Sequence, residues 1–336
     1  MESWNGGAWT QKARHLSQGQ DKRKLAAIHA GIAAGAALVI TLLQSVLADA
    51  IGKTSGLSGM GTRSILQTAA SVLQIANYVA TPFWDLGFLF VGLLWAREKY
   101  ARTDDLLTGF RRFGPYLRLM VAKGVLVFAG GMVCAYVSSA LYLLTPWSVP
   151  VVEFFQAAGM DMAVANEMMS QMDIATMDAM LDAMIPMLII WGILCAVVLI
   201  PLLYRFRMAE FLLLEDRRMG TLAAMLLSAR MLRKRCWKLF ALDLRLWWYY
   251  ALQVLCLLLY LSDLWLPLLG VTLPFAGEMA GMVLYVLYLL SLFVVQTLLR
   301  PRVATTYGLA YEYLRQADPV MPKVREVPKN LPGDEQ

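Results

Sequence analysis

Histidine, cysteine and charged residues are all scarce in this chain of 336 residues. It has two histidines, His15 and His29, and four cysteines without any Cys-x-x-Cys spacing. These numbers exclude His-rich metal sites, most His-dependent catalytic triads and a disulfide framework. Charged residues make up only 16% of the chain, whereas about a quarter is usual in soluble domains. The composition therefore disfavours a soluble enzyme and a disordered chain.

Motifs for nucleotide or metal chemistry are also missing. The sequence has no P-loop, no dinucleotide-binding glycine pattern and no His-Glu-x-x-His. The methionines between Met160 and Met184 have a spacing that can bind Cu(I), but no Cys or His accompanies them, and we interpret them as an apolar helix face. We predict no catalytic residue, no cofactor and no metal site.

Apolar residues, by contrast, make up 59% of the chain and form long runs. A transmembrane helix needs roughly 20 largely apolar residues to cross the hydrocarbon layer. Six runs meet this length: about Leu25–Ala48, Leu73–Ala96, Leu117–Leu144, Ala183–Tyr204, Leu239–Leu261 and Met279–Leu299. Lipid offers backbone groups no hydrogen-bond partner, so the runs should be helical. We predict an all-α polytopic membrane helix bundle with about six transmembrane helices.

The basic residues alternate along the chain. Of the 30 Lys and Arg residues, 28 fall before the first run, in the second and fourth connections or the turns of the spans next to them, or after the last run, and only Lys53 and Arg63 fall elsewhere. Short cytosolic loops carry an excess of Lys and Arg. The pattern therefore predicts a cell-membrane protein with both termini in the cytosol, and six spans agree with that parity.

The chain divides into one membrane domain and two polar ends. Residues 1–24 are predicted to be a cytosolic polar N-terminus, residues 25–300 the six-span domain, and residues 301–336 a cytosolic Pro-rich tail. Two connections, 148–182 outside and 206–238 inside, place apolar residues at helical spacing between charges. We predict that both are amphipathic interfacial helices.

The second inner connection and the fifth span carry a resemblance to a known family. The residues that carry it are Phe211 to Asp216, Ser228, Met231, Leu232, Trp237, Lys238, Phe240, Leu242, Asp243, Leu244 and Trp248, with further matches at Pro82, Gly87, Leu106, Gly109, Phe110, Ala310, Tyr311 and Leu314. The chain resembles an uncharacterised bacterial integral-membrane family, a domain of unknown function that is common in Gram-positive bacteria. That family is distantly similar to the membrane domain of some glycerophosphodiester phosphodiesterases. The resemblance implies six membrane helices and no established activity.

Two positions depart from the family pattern. Lys234 stands where the family tends to have Gly, and Arg245 stands where it tends to have a small Ser. A family role for that turn is therefore in doubt here.

Charged residues within the predicted spans are the first site candidates: Asp85, Lys123, Asp243 and Arg245. Asp85 lies about 12 residues from the inner end of the second run, which places it near the bilayer midplane at about 1.5 Å per residue. An acid at that depth is costly unless it is paired or hydrated. The alternatives are a structural pair with Lys123 or Arg245, an ion or proton pathway, or a shifted span that leaves Asp85 near water.

A basic run at the cytosolic surface is the second site candidate. It comprises Arg230, Arg233, Lys234, Arg235, Trp237 and Lys238. Basic residues at this position attract anionic headgroups by about 1 kcal/mol each. We predict that these residues contact anionic inner-leaflet lipids, and we predict no nucleic acid partner.

Three functions fit the sequence. The first is a non-catalytic membrane protein that organises lipid or a membrane protein partner. The second is a small permease or channel with a midplane polar site around Asp85, and the third is a membrane-embedded enzyme of lipid metabolism. A cavity at membrane depth around Asp85 is the observation that separates a binding or transport role from a tightly packed bundle.

Overall fold

The computed structural model describes residues 4–53, 60–159, 161–216, 218–265 and 278–317. Within these residues every regular element is a helix, which confirms the predicted all-α class. The α-helices are α1 Gly6–Ser17, α2 Gln20–Lys53, α3 Met60–Ala96, α4 Thr108–Arg111, α5 Phe113–Leu143, α6 Val149–Ala157, α7 Met162–Ser170, α8 Ile174–Arg205, α9 Ala209–Glu215, α10 Thr221–Leu232, α11 Cys236–Arg245, α12 Trp247–Tyr260, α13 Ser262–Trp265 and α14 Glu278–Gln316.

The chain forms two compact units. Unit 1 comprises residues 1–113, 214–217 and 237–336, and unit 2 comprises residues 114–213 and 218–236. Unit 1 is built mainly on α2, α3, α12 and α14, whereas unit 2 is built on α5 and α8.

Five helical segments are long and apolar enough to cross a membrane, namely those of α2, α3, α5, α8 and α14. Large apolar side chains on these segments are exposed, among them Phe128 at 71% and Val197 at 66%. Lipid is the solvent that such faces require, since large contiguous apolar patches are rare on soluble proteins. The chain is therefore a multi-pass membrane protein with an all-α bundle. The helix pair α11–α12, bent by 58°, is apolar enough to form a sixth span.

The helices α3 and α14 run parallel in a fixed register. Arg300 on α14 contacts Asp85 on α3, and twelve residues further along each helix Glu312 contacts Arg97. The same end of unit 1 holds Glu215, which pairs with Arg97 and Arg315. We call this the Arg97 end.

This register also gives the direction of the bent pair α11–α12 within unit 1. Glu215 lies at the Arg97 end, whereas Glu278 begins α14 at the opposite end, so the chain must change sides between them. Along α12, Tyr249 bonds Gln296 and the ring of Tyr260 packs on that of Tyr285, so α12 runs antiparallel to α14. The pair α11–α12 therefore has the direction that a sixth span requires, and with it the structure offers up to six spans.

The register also allows the distance from Asp85 and Arg300 to the far ends of their helices to be compared with the thickness of the hydrocarbon. Asp85 lies 22 residues after Arg63 on α3, and Arg300 lies 22 residues after Glu278 on α14. At 1.5 Å per residue each stretch is about 33 Å long, close to the roughly 30 Å of hydrocarbon. By this count Asp85 would lie near the edge of the hydrocarbon, as in the shifted-span alternative, and its midplane position stays a prediction.

Beyond that boundary, unit 1 continues as a packed base at the Arg97 end. Its core contains Phe88, Val91 and Trp95 of α3 together with Leu25 and Ala304. The second apolar run thus ends in protein interior rather than in lipid, a difference that hydropathy cannot register. Helix α14 also belongs to this base as far as Gln316, so residue 300 is not a structural boundary. The predicted Pro-rich tail, residues 301–336, thus begins within α14, and its residues from 318 onward lie outside the described part of the chain.

The polar N-terminus contributes a helix to the base. The side chain of Asn5 accepts a hydrogen bond from the Ala8 backbone N–H and so caps α1. On α1, Ala13 is fully buried and packs with Ala96 and Leu309. The segment predicted as a polar N-terminus is therefore ordered where it meets α3 and α14.

Unit 2 is an antiparallel hairpin of α5 and α8. Tyr142 at the end of α5 donates to the Ala183 carbonyl near the start of the apolar part of α8 (2.7 Å), and Trp191 donates to the Gly131 carbonyl (3.4 Å). The predicted outer amphipathic segment contains α6 and α7, and the inner one contains α9 and α10.

Two glycines fasten the 103–111 connection onto α3. A Cβ atom on Gly87 would overlap the Leu106 carbonyl, and one on Gly109 would overlap the Phe83 carbonyl. The two backbones approach each other too closely for any side chain, and this contact brings Phe110 beside Phe83.

We expect Gly87→Ala to destabilise unit 1, because the methyl group must displace backbone rather than a flexible side chain. Overpacking of this kind costs about 1–3 kcal/mol. The thermal unfolding midpoint of the purified protein should fall by several degrees. Gly35→Ala on α2 is the control, since nothing lies within 4 Å of its added Cβ. An equal effect of both substitutions would contradict the close-contact interpretation.

Candidate functional site

The charged pair at the membrane boundary of unit 1 joins Asp85 of α3 to Arg300 of α14. Nη2 of Arg300 lies 2.5 Å from Oδ1 of Asp85. Nη1 donates to Oε1 of Gln296 (3.2 Å), and the guanidinium lies over the ring of Phe88. Three partners therefore fix the Arg300 side chain. The predicted partners of Asp85, Lys123 or Arg245, are wrong, because Arg300 is level with it.

His29 on α2 lies beside this pair and was not predicted as a site residue. Its Nε2 donates to the Trp84 carbonyl (3.2 Å), and Nε1 of Trp84 donates back to the His29 carbonyl (3.0 Å). The two rings stack with centroids 5.0 Å apart. The residue is fully buried, and among the described residues its Nδ1 has no hydrogen-bond partner. This reciprocal contact holds α2 against α3 at the level of Asp85.

A cavity of about 580 Å³ extends from this pair into the membrane part of unit 1. It lies between α2, α3 and α14. Its α2 wall is made of Ala30, Ala33, Ala34, Ala36 and Ala37 with Ile32 and Ile40. Small side chains on this face leave a space that larger residues would fill. The cavity is therefore a consequence of the alanine-rich first span.

The other walls are mostly apolar with polar groups at a few points. Leu73, Leu289, Leu292 and Phe293 contribute apolar side chains, whereas Asn77, Thr81, Tyr285, Tyr288 and Gln296 contribute polar ones. Among the described residues, Asp85 and Arg300 are the only charged ones in the lining. An apolar cavity with one charged end suits an amphipathic molecule.

The base closes the cavity at the charged end. Phe88, Val91 and Ala304 are buried in the core of the base. A Cβ atom on Gly92 would lie 2.7 Å from the backbone of Ala304, so α3 and α14 touch directly here. Within the described part of unit 1 the cavity therefore does not continue through the base.

A second charged cluster lies at the Arg97 end. Arg97 donates to both Glu215 and Glu312, and Nη1 of Arg315 lies 3.0 Å from Oε1 of Glu215. The hydroxyl of Tyr311 donates to the second oxygen of Glu215 (2.5 Å). Two cations and two carboxylates cancel in charge, and Glu215 is only 7% exposed. Each charged group of the cluster is paired within the cluster. These pairs hold Glu215, the last residue of α9, against α3 and α14.

The remaining charged candidates have partners of their own. In unit 2, Nζ of Lys123 lies 2.8 Å from Oε1 of Glu210. In unit 1, Tyr307 donates to Asp243, and its hydroxyl also lies 2.8 Å from that of Tyr250. Asp243 thus lies in the base, because Tyr307 follows Arg300 by seven residues.

Arg245 fills the space beside Gly6 and Gly7 in the base. A Cβ atom on either glycine would lie 3.0–3.2 Å from Nη1 of Arg245. The glycines of the N-terminal segment therefore make room for the side chain that departs from the family pattern.

The predicted lipid-binding run is divided between the two units. Arg230, Arg233, Lys234 and Arg235 belong to unit 2, whereas Trp237 and Lys238 belong to unit 1. Trp237 is 78% exposed, and with Lys238 and Trp4 it lines a small surface pocket of about 260 Å³. The lipid contact itself stays a prediction.

The described residues contain no group of three or more His, Cys, Asp or Glu side chains placed to hold a metal ion. None of the sites above therefore has a ligand set for a metal centre.

A protein-family model for DUF975, described as "Protein of unknown function (DUF975)", matches residues 17–318. The chain belongs to the DUF975 family. No curated protein and no solved structure matches it. The distant similarity to glycerophosphodiester phosphodiesterases therefore stays a prediction.

Several residues that carry the DUF975 resemblance contact one another in the structure. Glu215 accepts the hydrogen bond of Tyr311, and Gly87 packs on Leu106. A third resemblance residue, Trp248, lies under the guanidinium of Arg302, which is outside the pattern, 5.3 Å from the ring centroid. Separate stretches of the family pattern thus meet in the base of unit 1.

Neutralising Glu215 should destabilise the base. In Glu215→Gln, Arg97 and Arg315 would share one carboxylate in a buried setting, and breaking a buried pair costs about 3–5 kcal/mol. We expect a clear loss of thermal stability in detergent. Glu98→Gln is the matched control, because Glu98 pairs with Lys12 in an exposed position and such pairs contribute about 0–1 kcal/mol. Similar losses in both variants would show that the cluster is not a buried lock.

Proposed function

We propose that this DUF975 protein is a non-catalytic protein of the bacterial cell membrane that binds a membrane lipid in the cavity of unit 1. The cavity between α2, α3 and α14, with Asp85 and Arg300 at one end, is the observation that supports this proposal. Its volume falls within the range of about 300–1,000 Å³ in which pockets enclose small ligands.

The depth of the cavity favours a lipid over a water-soluble ligand. The charged pair is level with the hydrocarbon edge, where lipid headgroups begin, and the apolar walls extend from there toward the bilayer centre. A lipid with its headgroup at Asp85 and Arg300 would place an acyl chain along the alanines of α2. In this arrangement the headgroup would lie in the polar headgroup layer and the acyl chain in the hydrocarbon, so each part of the lipid is in the surroundings that it requires.

A permease is the alternative, and one observation favours it. The Asp85 side chain is 45% exposed in a membrane-depth cavity, and charged residues in such cavities often mark transport pathways. Against it, the described base fills the space beyond Arg300 with Phe88, Val91 and Ala304. A binding site that is closed at one end supports lipid binding more than passage.

Two further proposals come from the charges. The alternation of basic residues supports cytosolic termini, which would place the Arg97 end in the cytosol. The exposed bases and Trp237 support contact with anionic lipids of the inner leaflet. A membrane protein partner fits the same surface, and we propose lipid as the first ligand to test.

Filling the cavity should remove the bound lipid. In Ala33→Phe, a ring occupies the space beside α14, so we expect lipid that co-purifies with the wild-type protein to fall severalfold by native mass spectrometry. Val39→Phe on the same helix is the control, because Val39 is exposed and does not line the cavity.

Three outcomes decide between the candidates. Loss of bound lipid in Ala33→Phe alone supports the proposal, and equal lipid retention in both variants contradicts it. Asp85→Asn separates the permease alternative: normal membrane abundance with abolished solute flux in proteoliposomes would favour transport over binding.

The orientation proposal has a direct labelling test. In a chain whose native cysteines are replaced by serine, Gln171→Cys should react with a membrane-impermeant maleimide in intact cells, because Gln171 is exposed between α7 and α8 on the proposed outer side. Arg23→Cys, exposed at the start of α2, should react only after lysis. The opposite labelling pattern would contradict the proposed cytosolic termini.

A further inference from the structure

We infer that the cavity selects a lipid whose headgroup carries a primary ammonium group, and that Asp85 is the acceptor for that group. The inference rests on the proposed function, since it presupposes that the cavity binds lipid. It adds the headgroup class and the atom that recognises it.

Of the two charged groups in the pair, the carboxylate of Asp85 is the more accessible one. The Asp85 side chain is 45% exposed, whereas that of Arg300 is 19% exposed. Nη1 of Arg300 is engaged by Gln296, Nη2 by Asp85, and the guanidinium lies against Phe88. A ligand that enters the cavity therefore meets the aspartate with the arginine behind it.

Asp85 has bonding capacity left for a ligand. Its Oδ1 accepts from Arg300 and lies 3.9 Å from Nε2 of His29, which donates instead to the Trp84 carbonyl. No described residue donates to Oδ2. A carboxylate can accept about four hydrogen bonds, so Oδ2 is the free acceptor of the cavity.

The neighbouring polar groups do not supply that donor. Thr81 donates to the Asn77 carbonyl (2.9 Å). Tyr285 exchanges hydrogen bonds with α2 through Thr41 and the Ala37 carbonyl. Thr81 and Tyr285 are thus engaged with the helices that carry them or lie beside them. The side chains of Asn77, Tyr288 and Gln296 also line the cavity but are uncharged, so Asp85 is the negatively charged acceptor that the described lining offers to a ligand.

The charge of the lining favours a zwitterion over an anion. Asp85 and Arg300 cancel, so an anionic headgroup gains no net attraction from them, and its phosphate would meet the carboxylate first. A zwitterionic headgroup can place its ammonium on Oδ2 of Asp85. A primary ammonium carries N–H donors for this bond, whereas the quaternary ammonium of choline has none.

The experiment compares headgroups on the full chain in detergent. Dioleoyl phosphatidylethanolamine, phosphatidylcholine and phosphatidylglycerol, which share their acyl chains, are titrated in turn and binding is followed by native mass spectrometry. We expect phosphatidylethanolamine to bind at least about tenfold more tightly than the other two, the ratio that one charge-assisted hydrogen bond gives. Free ethanolamine serves as the soluble source of the same group.

Two variants assign the preference to Asp85. Asp85→Asn should bring the three lipids within about twofold of one another. Asp49→Asn, at the opposite end of α2 and paired with Lys53, should keep the wild-type preference. Ala33→Phe should abolish binding of all three lipids.

Each result is decisive. Lipid that binds without headgroup preference, or a preference for choline or glycerol headgroups, overturns the inference while leaving the proposed function in place. Absence of lipid binding in the wild type overturns both. Saturable binding of free ethanolamine at the lipid concentrations would show a soluble amine site and overturn the lipid assignment. A preference that persists in Asp85→Asn excludes Asp85 as the acceptor.

Discussion

Charges on apolar helices must find partners at their own depth, and this constraint organises unit 1. Asp85 and Arg97 on α3 are separated by the same twelve residues as Arg300 and Glu312 on α14. Only a parallel, in-register arrangement satisfies both pairs, and the direct contact of Gly92 with Ala304 lies between them. The register in turn determines which way the bent α11–α12 pair must run and where the hydrocarbon ends.

The cavity is a consequence of the same arrangement. Toward the base, glycine and alanine allow α3 and α14 to touch, and aromatic side chains fill what remains. Toward the bilayer centre, α2 faces these helices with alanines, so the helices stay apart and leave space. The charged pair lies where the packed region ends and the open region begins. Arg300 is therefore held by its neighbours, whereas Asp85 is accessible from the cavity.

The sequence was sufficient for the architecture and insufficient for the depth of its charges. Long apolar runs predicted the all-α class and a multi-pass bundle of five to six candidate spans, because lipid imposes both length and helix. The second apolar run includes residues that do not face lipid. Phe88, Val91 and Trp95 are apolar because they fill a protein core, and hydropathy does not distinguish a core from lipid. On hydropathy alone Asp85 was predicted at the midplane, and Arg300, the last residue of the predicted membrane domain, was not recognised as its partner. The role of His29 depends on Trp84 of another helix. In the sequence its only sign is that it is a histidine isolated in an apolar run. The buried Glu215 cluster was equally hidden, because its members are far apart in sequence.

Helix α14 is 39 residues long, which is about 58 Å at 1.5 Å per residue, nearly twice the thickness of the hydrocarbon layer. One helix therefore passes through two environments: lipid, which favours apolar side chains on the outside, and water, which favours apolar side chains on the inside. Its first part presents leucine and valine outward to lipid, whereas its last part turns Tyr311 and Leu314 inward and is stabilised by the entropy of released water. Heat and urea should act mainly on the second part, and bilayer thickness mainly on the first. Pro301 lies inside the helix directly after Arg300 and donates no backbone hydrogen bond there, so the two parts meet at the charged pair.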